Sequence, residues 1–519
     1  MKIHKIPALL LAGTLLFATS CEKDLLDKTN PNAPSTAQFW NTQDDAVKGV
    51  YACYSGLQQF ACYYRSWHFM AHRSDESYSQ SPFVELANFT RFITPDNNFF
   101  ISSFAWNDYY RTIFRANQVV TNVPGITMDE TLKKQLLAEA KFVRALSYFD
   151  LVYFFGRIPL IVEEPVVTTR VPQATPAQVE AQIIADLEAA IPDLPLFYGD
   201  AEKGRATKGS AQALLAKVYM QQQEWAKASA LFTTIINSGQ YALVPSYLDN
   251  FTAVNENNRE SVFEVQFTSA ILEVGQGQDN ASSSESHDRP NFFGPPVVAF
   301  ADMQPRQWLH AEYRDSTVAF APGSSTKHMI DPRRDISIFS YVGTPKVYGR
   351  RWDRYFPPVP PARDSTGLQR DQLYWRKYQN DRTRMTPEDF SSGINHRVIR
   401  YADVLLMQAE ALIELNQTGA ALPLINQVRA RVNLAPLTAT SQTQLRQLLR
   451  SERAKELSGE GTRWFDILRW KLMDDQAGIN ELISRDPDFT NFRLGVSKLL
   501  PIPQRDIDID PGITQNPGY

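Results

Sequence analysis

The chain has 519 residues, with 53 basic and 57 acidic side chains spread without long blocks and a formal net charge of −4. No basic stripe suggests a nucleic-acid surface, and three cysteines are too few for a disulfide scaffold. The unusual totals are aromatic, 30 Phe, 21 Tyr and 9 Trp, much of which must be core because rings dominate burial in a large domain.

Lys2, His4 and Lys5 precede an apolar run from Ile6 to Ala18, followed by Thr19, Ser20, Cys21 and the charged Glu22–Lys23–Asp24. The run is too short to cross a bilayer comfortably and reads as a signal peptide over residues 1–20. Small residues before a lone cysteine resemble a bacterial lipoprotein processing site, which predicts lipid on Cys21, although Ala18 stands where leucine is commoner. An ordinary leader with an incidental cysteine is the competing reading. A multiply acylated cysteine would hold stably where one chain would not. Beyond the leader no apolar run approaches a membrane span. The spacing of Cys53 and Cys62 fits neither a metal knuckle nor a redox pair, leaving buried thiols or one optional bridge.

Residues 21–38, with Asn30, Pro31, Asn32 and Pro34, read as a tether. A helix is predicted from about Asp44 to Phe60, with two aspartates at its positive end. The stretch 61–112 is rich in aromatics and resists assignment. Leu132, Leu136, Ala140, Val143, Leu146 and Phe149 recur at helical spacing and predict a long helix over 130–155, stopped by Gly156 and Pro159. Thr175 and Pro176 open another helix to about Ala190.

Ala216, Tyr219, Ala228, Phe232 and Ile235 stand at offsets of 3, 12, 16 and 19, and Ala409, Leu412, Ala421, Ile425 and Val428 repeat them. This is the spacing of tetratricopeptide-type helix pairs, which stack because one pair cannot bury its own apolar face; two generic helical hairpins would be the alternative. Between the two lies a Gly-, Pro-, Ser- and Asn-rich lobe, 240–397, with strand-like Ser261–Phe267 and polar loops at Gln276–Ser286, Asp315–Ser325 and Arg363–Leu368. Helical signals return at 398–416, 419–431, 442–458 and 462–473. Residues 498–519 read as an extended tail packed along the body.

Several blocks carry more than periodicity. The run from Leu137–Ala138–Glu139–Ala140 through Arg144 and Asp150 to Gly156 and Pro159, and Arg400–Tyr401–Ala402–Asp403 through Glu410, resemble signatures of the SusD/RagB family. Ile425–Arg431, then Glu452–Arg453, Gly459–Glu460–Gly461, Phe465–Asp466 and Arg469–Trp470, and finally Pro501–Ile502–Pro503 and Gln515–Tyr519 follow in the same order. With the lipoprotein start, these blocks span nearly the whole mature chain. The resemblance implies a mainly α fold, a frame of four tetratricopeptide-like helix pairs with a loop-rich, partly β ligand-facing lobe. It implies a single body over 39–519, divided into 39–239, the lobe 240–397 and 398–519. It also implies a surface-facing, lipid-anchored protein of a bacterial outer membrane that binds oligosaccharide, or a related nutrient, without cleaving it and covers a SusC-like TonB-dependent transporter. A lid or scaffold with little ligand affinity is the second reading, and a glycan hydrolase the third.

Glu452 and Glu456 lie one turn apart on one helix, whereas glycosidase carboxylates face each other across a cleft, about 5–5.5 Å apart in retaining enzymes. Ion pairing between stacked helices is the better reading for them, while Arg144 near Asp150, Arg400 near Asp403, and Arg463 near Asp466 and Arg469 read as structural hydrogen-bonding groups. His68 and His72 are four apart but lack the glutamate of a zinc-hydrolase motif, so no metal and no cofactor is expected. A sugar site needs flat ring faces beside polar groups. The irregular segments offer two such patches. One has Tyr63, Tyr64, Trp67, His68, Arg73, Asp75, Glu76 and Tyr78. The other has Phe292, Phe293, Trp308, Tyr348, Arg350, Trp352, Asp353, Tyr355, Tyr374 and Trp375. Trp67 and Trp352 head the two; Trp225, Trp464 and Trp470 read as frame packing.

Overall fold

A computed structural model describes residues 39–93, 97–164, 170–269, 285–296, 298–315, 329–340, 346–352, 372–386, 390–439 and 441–519. The leader, Cys21, the tether, Asp353, Tyr355 and most of the three polar loops lie outside these residues.

Helix α1 (Gln43–Leu57) opens on a Thr42–Asp45 capping box and leads into a π-helical turn, Phe60–Tyr64, and the short α2 (Ser66–Ala71). Residues 61–112 then hold a two-residue strand, β1 (Ser77–Tyr78), helix α3 (Val84–Thr90) and most of α4 (Phe100–Asn122). Helix α5 (Glu130–Phe155) starts where Asp129 accepts the Leu132 N–H at 2.7 Å. It stops at Gly156, whose φ of +76° suits glycine and whose missing Cβ leaves room for Leu499. Helix α6 (Pro176–Ala190) carries the predicted Thr175 cap, reinforced by Gln178 into a capping box.

The two spaced repeats are helix pairs: α7 (Lys208–Gln221) with α8 (Trp225–Asn237), and, after the lobe, Tyr401–Glu414 with Thr418–Arg431. All ten repeat positions are buried. The lobe enters on strand β2 (Ser261–Val265) and holds helix α9 (Arg289–Phe293), strand β3 (Gln304–Pro305), helix α10 (Gln307–Glu312) and strands β4 (Ile338–Ser340) and β5 (Leu373–Trp375). It leaves on β6 (His396–Arg400), which runs straight into α11 (Tyr401–Glu414) and α12 (Thr418–Arg431). The predicted helix at 398 therefore begins three residues late, because Val398–Arg400 belong to the strand pairing antiparallel with β2. Helix α8 packs on α11, so repeats nearly 200 residues apart in sequence are neighbours in one stack. Gln408 on α11 donates to Ser229 and Thr233 on α8 at 3.1 Å each. Helices α13 (Gln442–Leu457), α14 (Arg463–Arg469) and α15 (Gln476–Ile483) complete the frame. The tail carries a helical turn, α16 (Gln504–Ile509), and is tied down where Asn516 donates to the carbonyls of Phe155 and Leu500 at 2.8 Å each. Among the described residues no helix is long and apolar enough to cross a membrane.

A buried charge network joins lobe to frame. Arg400 reaches Glu260 (2.8 Å), Glu456 (2.5 Å) and Glu460 (2.7 Å), and Arg333 reaches Asp331, Glu452 and Glu456 at 2.6–2.7 Å. Lys377 pairs with Glu460 at 2.7 Å, and Arg431 with Glu260 at 3.0 Å. Glu452 and Glu456 are thus ion-paired, but the cross-helix partners differ from those nearest in sequence. Arg144 forks onto Asp186 (2.7 and 2.8 Å), Arg463 onto Asp75 (2.6 Å), and Asp466 takes Arg453 and Arg469. Burial works against the charge of Asp466, yet those two guanidinium groups outweigh it and hold the carboxyl at about 2. Cys53 and Cys62 are free, buried thiols, with burial pushing Cys53 up to about 12.

Because removing one member leaves the others as uncompensated buried charge, Arg400→Met should lower the unfolding free energy by about 3–5 kcal/mol in urea denaturation.

Candidate functional site

The first predicted patch lies mostly inside the body. Trp67 is 5% exposed and donates its indole N–H to Asp150 at 3.2 Å, the same carboxylate that Tyr63 and Tyr109 hold at 2.8 and 2.9 Å. Arg73 is buried, stacked 4.5 Å over Phe92 and donating to the carbonyls of Phe89 and Ser497. Asp75 is held by Arg463 and Arg485, and its backbone carbonyl accepts the Trp308 indole N–H at 2.5 Å. Glu76 is buried, and loss of water pushes its carboxyl up to about 8. Tyr64 is buried at its edge; Tyr78 is half-buried, under Arg306 at 4.1 Å and bonded to Gln304. In the second patch Trp375 is fully buried, and Trp352 sits with Tyr348 and Tyr374 in a small core of its own inside the lobe. Trp308 and Arg350 are half-buried. Trp67, Trp352, Trp375, Asp75 and Glu76, picked out by chemistry type, therefore occupy interior positions.

Three exposed phenylalanines lie beside these segments. On the early segment, Phe60 of the π-helical turn packs against Phe100 and Phe104 at the start of α4, with centroids 6.5 and 6.0 Å away, and Phe83 lies 5.7 Å from Phe100. On the lobe, Phe292 of α9 meets Phe300 at 5.3 Å and Phe390 at 6.2 Å. Arg65 bridges the two groups: its guanidinium lies 4.6 Å from the Phe60 ring and 4.1 Å from Phe292 and is ion-paired to buried Asp288. Phe83, Phe104 and Phe300 are 40%, 38% and 53% exposed. A single exposed ring is ordinary, but exposed rings linked through neighbouring rings into one apolar face mark an interaction surface. The backbone beneath is fixed: Phe300 N–H donates to the Asn291 carbonyl and Asp302 N–H to the Phe292 carbonyl, both at 2.7 Å. The result is a ring surface spanning two chain segments and stiffened by an ion pair, suited to covering the C–H faces of a flat ligand. Of these residues only Phe292 belonged to a predicted patch. The available signal was Phe60/Tyr64 and Phe100/Phe104 at i, i+4 spacing in an irregular, polar setting.

Beneath this face lie His68, His72, His287 and His396, all buried. Among the described residues no cluster of three or more metal-ligating side chains is present. Burial holds all four imidazoles neutral, His72 and His287 at about 3.

The chain matches the family model described as "SusD family" over residues 260–519 and that described as "Starch-binding associating with outer membrane" over residues 24–220. SusD-like protein P25 of Formosa agariphila is 28% identical, with 99% of this chain and all of that protein aligned. A SusD superfamily protein from Bacteroides vulgatus superposes with a TM-score of 0.79 at 25% identity, over 93% of this chain and 100% of the other. A laminarin binding SusD-like protein gives a TM-score of 0.75 at 29% identity, over 92% and 100%.

The imidazoles predict a signed pH effect. An unfolded His72 binds a proton below 6.5 while the folded one stays neutral to about 3. Its stabilisation is therefore complete above 6.5 and declines by about 1.4 kcal/mol per pH unit below it. Glu76, raised above its unfolded value of 4.5 to about 8, acts in the opposite sense and stabilises at low pH. Comparing wild type with His72→Gln isolates the histidine: the variant should gain on wild type by about 1.4 kcal/mol per unit on acidification below pH 6.5. A constant difference would contradict a neutral buried imidazole. Matching helical frame, inserted lobe, family models and superposed relatives all agree: this chain belongs to the SusD family.

Proposed function

We propose that the chain is a cell-surface oligosaccharide-binding protein, anchored to the outer membrane through lipid on Cys21, that captures glycan and delivers it to a SusC-like TonB-dependent transporter. The observation that carries this reading is the exposed ring surface of Phe83, Phe104 and Phe300 with Arg65 locked at its centre. A pyranose has apolar C–H faces that stack on such rings and rim hydroxyls that take hydrogen bonds from the surrounding polar groups. Support comes from relatives whose names state laminarin binding and starch binding, and from a matching family description that places its members at the outer membrane. Residues 21–38 serve as the tether, 39–239 and 398–519 as the frame, and 240–397 as the lobe completing the ligand face. Trp67, Trp352 and the other buried members of the two patches pack the body that carries the ring surface, and Tyr78, Trp308 and Arg350 are half-buried. No reaction is proposed: Glu452 and Glu456 are engaged by arginines in the interior.

Titration calorimetry against oligosaccharides selected from a glycan array tests the reading. Phe83→Ala and Phe300→Ala should each weaken binding about tenfold, the worth of one stacked ring, with the unfolding midpoint unchanged. Unaltered affinity in both variants would remove the ring surface as the site. Metabolic labelling with radioactive palmitate should mark the wild type and not Cys21→Ala, and protease shaving of intact cells should release the body.

A further inference from the structure

Phe104 belongs to two features. One edge of the ring surface ends on it, and it also lines an open hollow between the first turns of α4 and the C-terminal turn α16. That hollow has a volume of about 590 Å³, within the roughly 300–1,000 Å³ typical of small-molecule sites. Its composition differs from that of the ring surface. Asn107 stands one turn beyond Phe104 on the same side of α4, and Arg505, Asp508 and Ile509 face it from α16, all four exposed. The far wall is held in place, because Asp506 takes a hydrogen bond from Trp106 of α4, whose ring packs 5.2 Å from Phe155.

From this juxtaposition we infer that the oligosaccharide site continues past Phe104 into the hollow, as a second subsite for a further, neutral sugar unit of the same chain. The inference rests on the ring surface being the glycan site. Phe104 and Ile509, 38% and 64% exposed, offer apolar contact for C–H faces. The Asn107 amide, the Arg505 guanidinium and the Asp508 carboxylate supply both donors and acceptors for hydroxyls. Asp506 and Asp508 outnumber Arg505 in the hollow, and this excess of negative charge disfavours a carboxylate- or sulfate-bearing unit at this end. The site therefore selects for chain length and against acidic units at one end, whereas the phenylalanine surface alone would accept any chain with apolar faces.

Calorimetry of the purified mature chain with length ladders of laminarin-derived and starch-derived oligosaccharides tests this, using the ladder that binds. The double variant Asn107→Ala/Asp508→Ala should cost the longest oligosaccharides about tenfold in affinity, the worth of one or two hydrogen bonds, and leave the shortest binder unchanged. Phe300→Ala should weaken every length. If the double variant matches wild type at all lengths while Phe300→Ala weakens binding, the extension is wrong and the ring surface stands. A loss in the double variant that is equal at every length would overturn the extension too, since the hollow would then be the primary site. A wild-type chain that binds no glycan on the array overturns both readings. A circular dichroism melt of the double variant excludes misfolding as the cause of any loss.

Discussion

The buried arginine–carboxylate network is the interaction on which the rest of the structure depends. Arg400 stands where β6 becomes α11, Glu260 just before β2, Arg333 and Lys377 within the lobe, and Glu452, Glu456 and Glu460 on and just after α13. Each group is costly to take out of water alone, and the Coulomb gain offsets that cost only when all partners arrive together. The network thus favours one seating of the lobe on the frame over alternatives that would bury one or two of these charges unmatched. Hydrophobic burial supplies the driving force, but it is not directional and would tolerate a lobe displaced along the helices.

That seating creates the ring surface. Phe60, Phe83, Phe100 and Phe104 come from the early segment, and Phe292, Phe300 and Phe390 from the lobe. Neither group is a platform by itself. Arg65 stacks on rings of both groups while its charge is taken up by Asp288, so the join is fixed before any ligand arrives. A preformed face loses less entropy on binding than one assembled by its ligand.

Much of the frame was legible in the sequence because its helices bury one face at a 3.6-residue period. Helices α5 and α6 fall where their apolar spacing and caps place them, and the ten repeat positions of α7–α8 and α11–α12 are all buried. Helix α4 escaped because Phe104 and Phe114 stand on its exposed side with Asn107 and Arg111, so that rings there blur the boundary between its polar and apolar sides. The candidate site was less legible for a related reason. Whether a ring becomes core or platform depends on what lies across from it, and in 240–397 the facing partner is distant in sequence. Tryptophans next to acidic and basic residues looked suited to sugar, but Trp67 and Trp375 are buried, and Asp75 is matched to Arg463, nearly 400 residues away. Phenylalanines without charged neighbours in sequence took the outer positions instead.

The pairing of β2 with β6 has a further consequence. The lobe leaves the frame at Ser261 and returns at Arg400, directly opposite on the neighbouring strand, and the helices on either side, α8 and α11, already pack together. About 140 residues are therefore strung between two points that the frame itself holds side by side. A closed excursion of this kind is almost indifferent to its own length, since each doubling costs only about 0.6 kcal/mol in closure entropy. Segments inside it can be lengthened, shortened or replaced without altering the stack, provided the charged residues that dock it and the apolar ones that enter the main core, such as Phe293, Leu309 and Trp375, are kept. The lobe's half of the ring surface can thus be rewritten in a lineage while the helix stack, and the early-segment half built on it, is left alone.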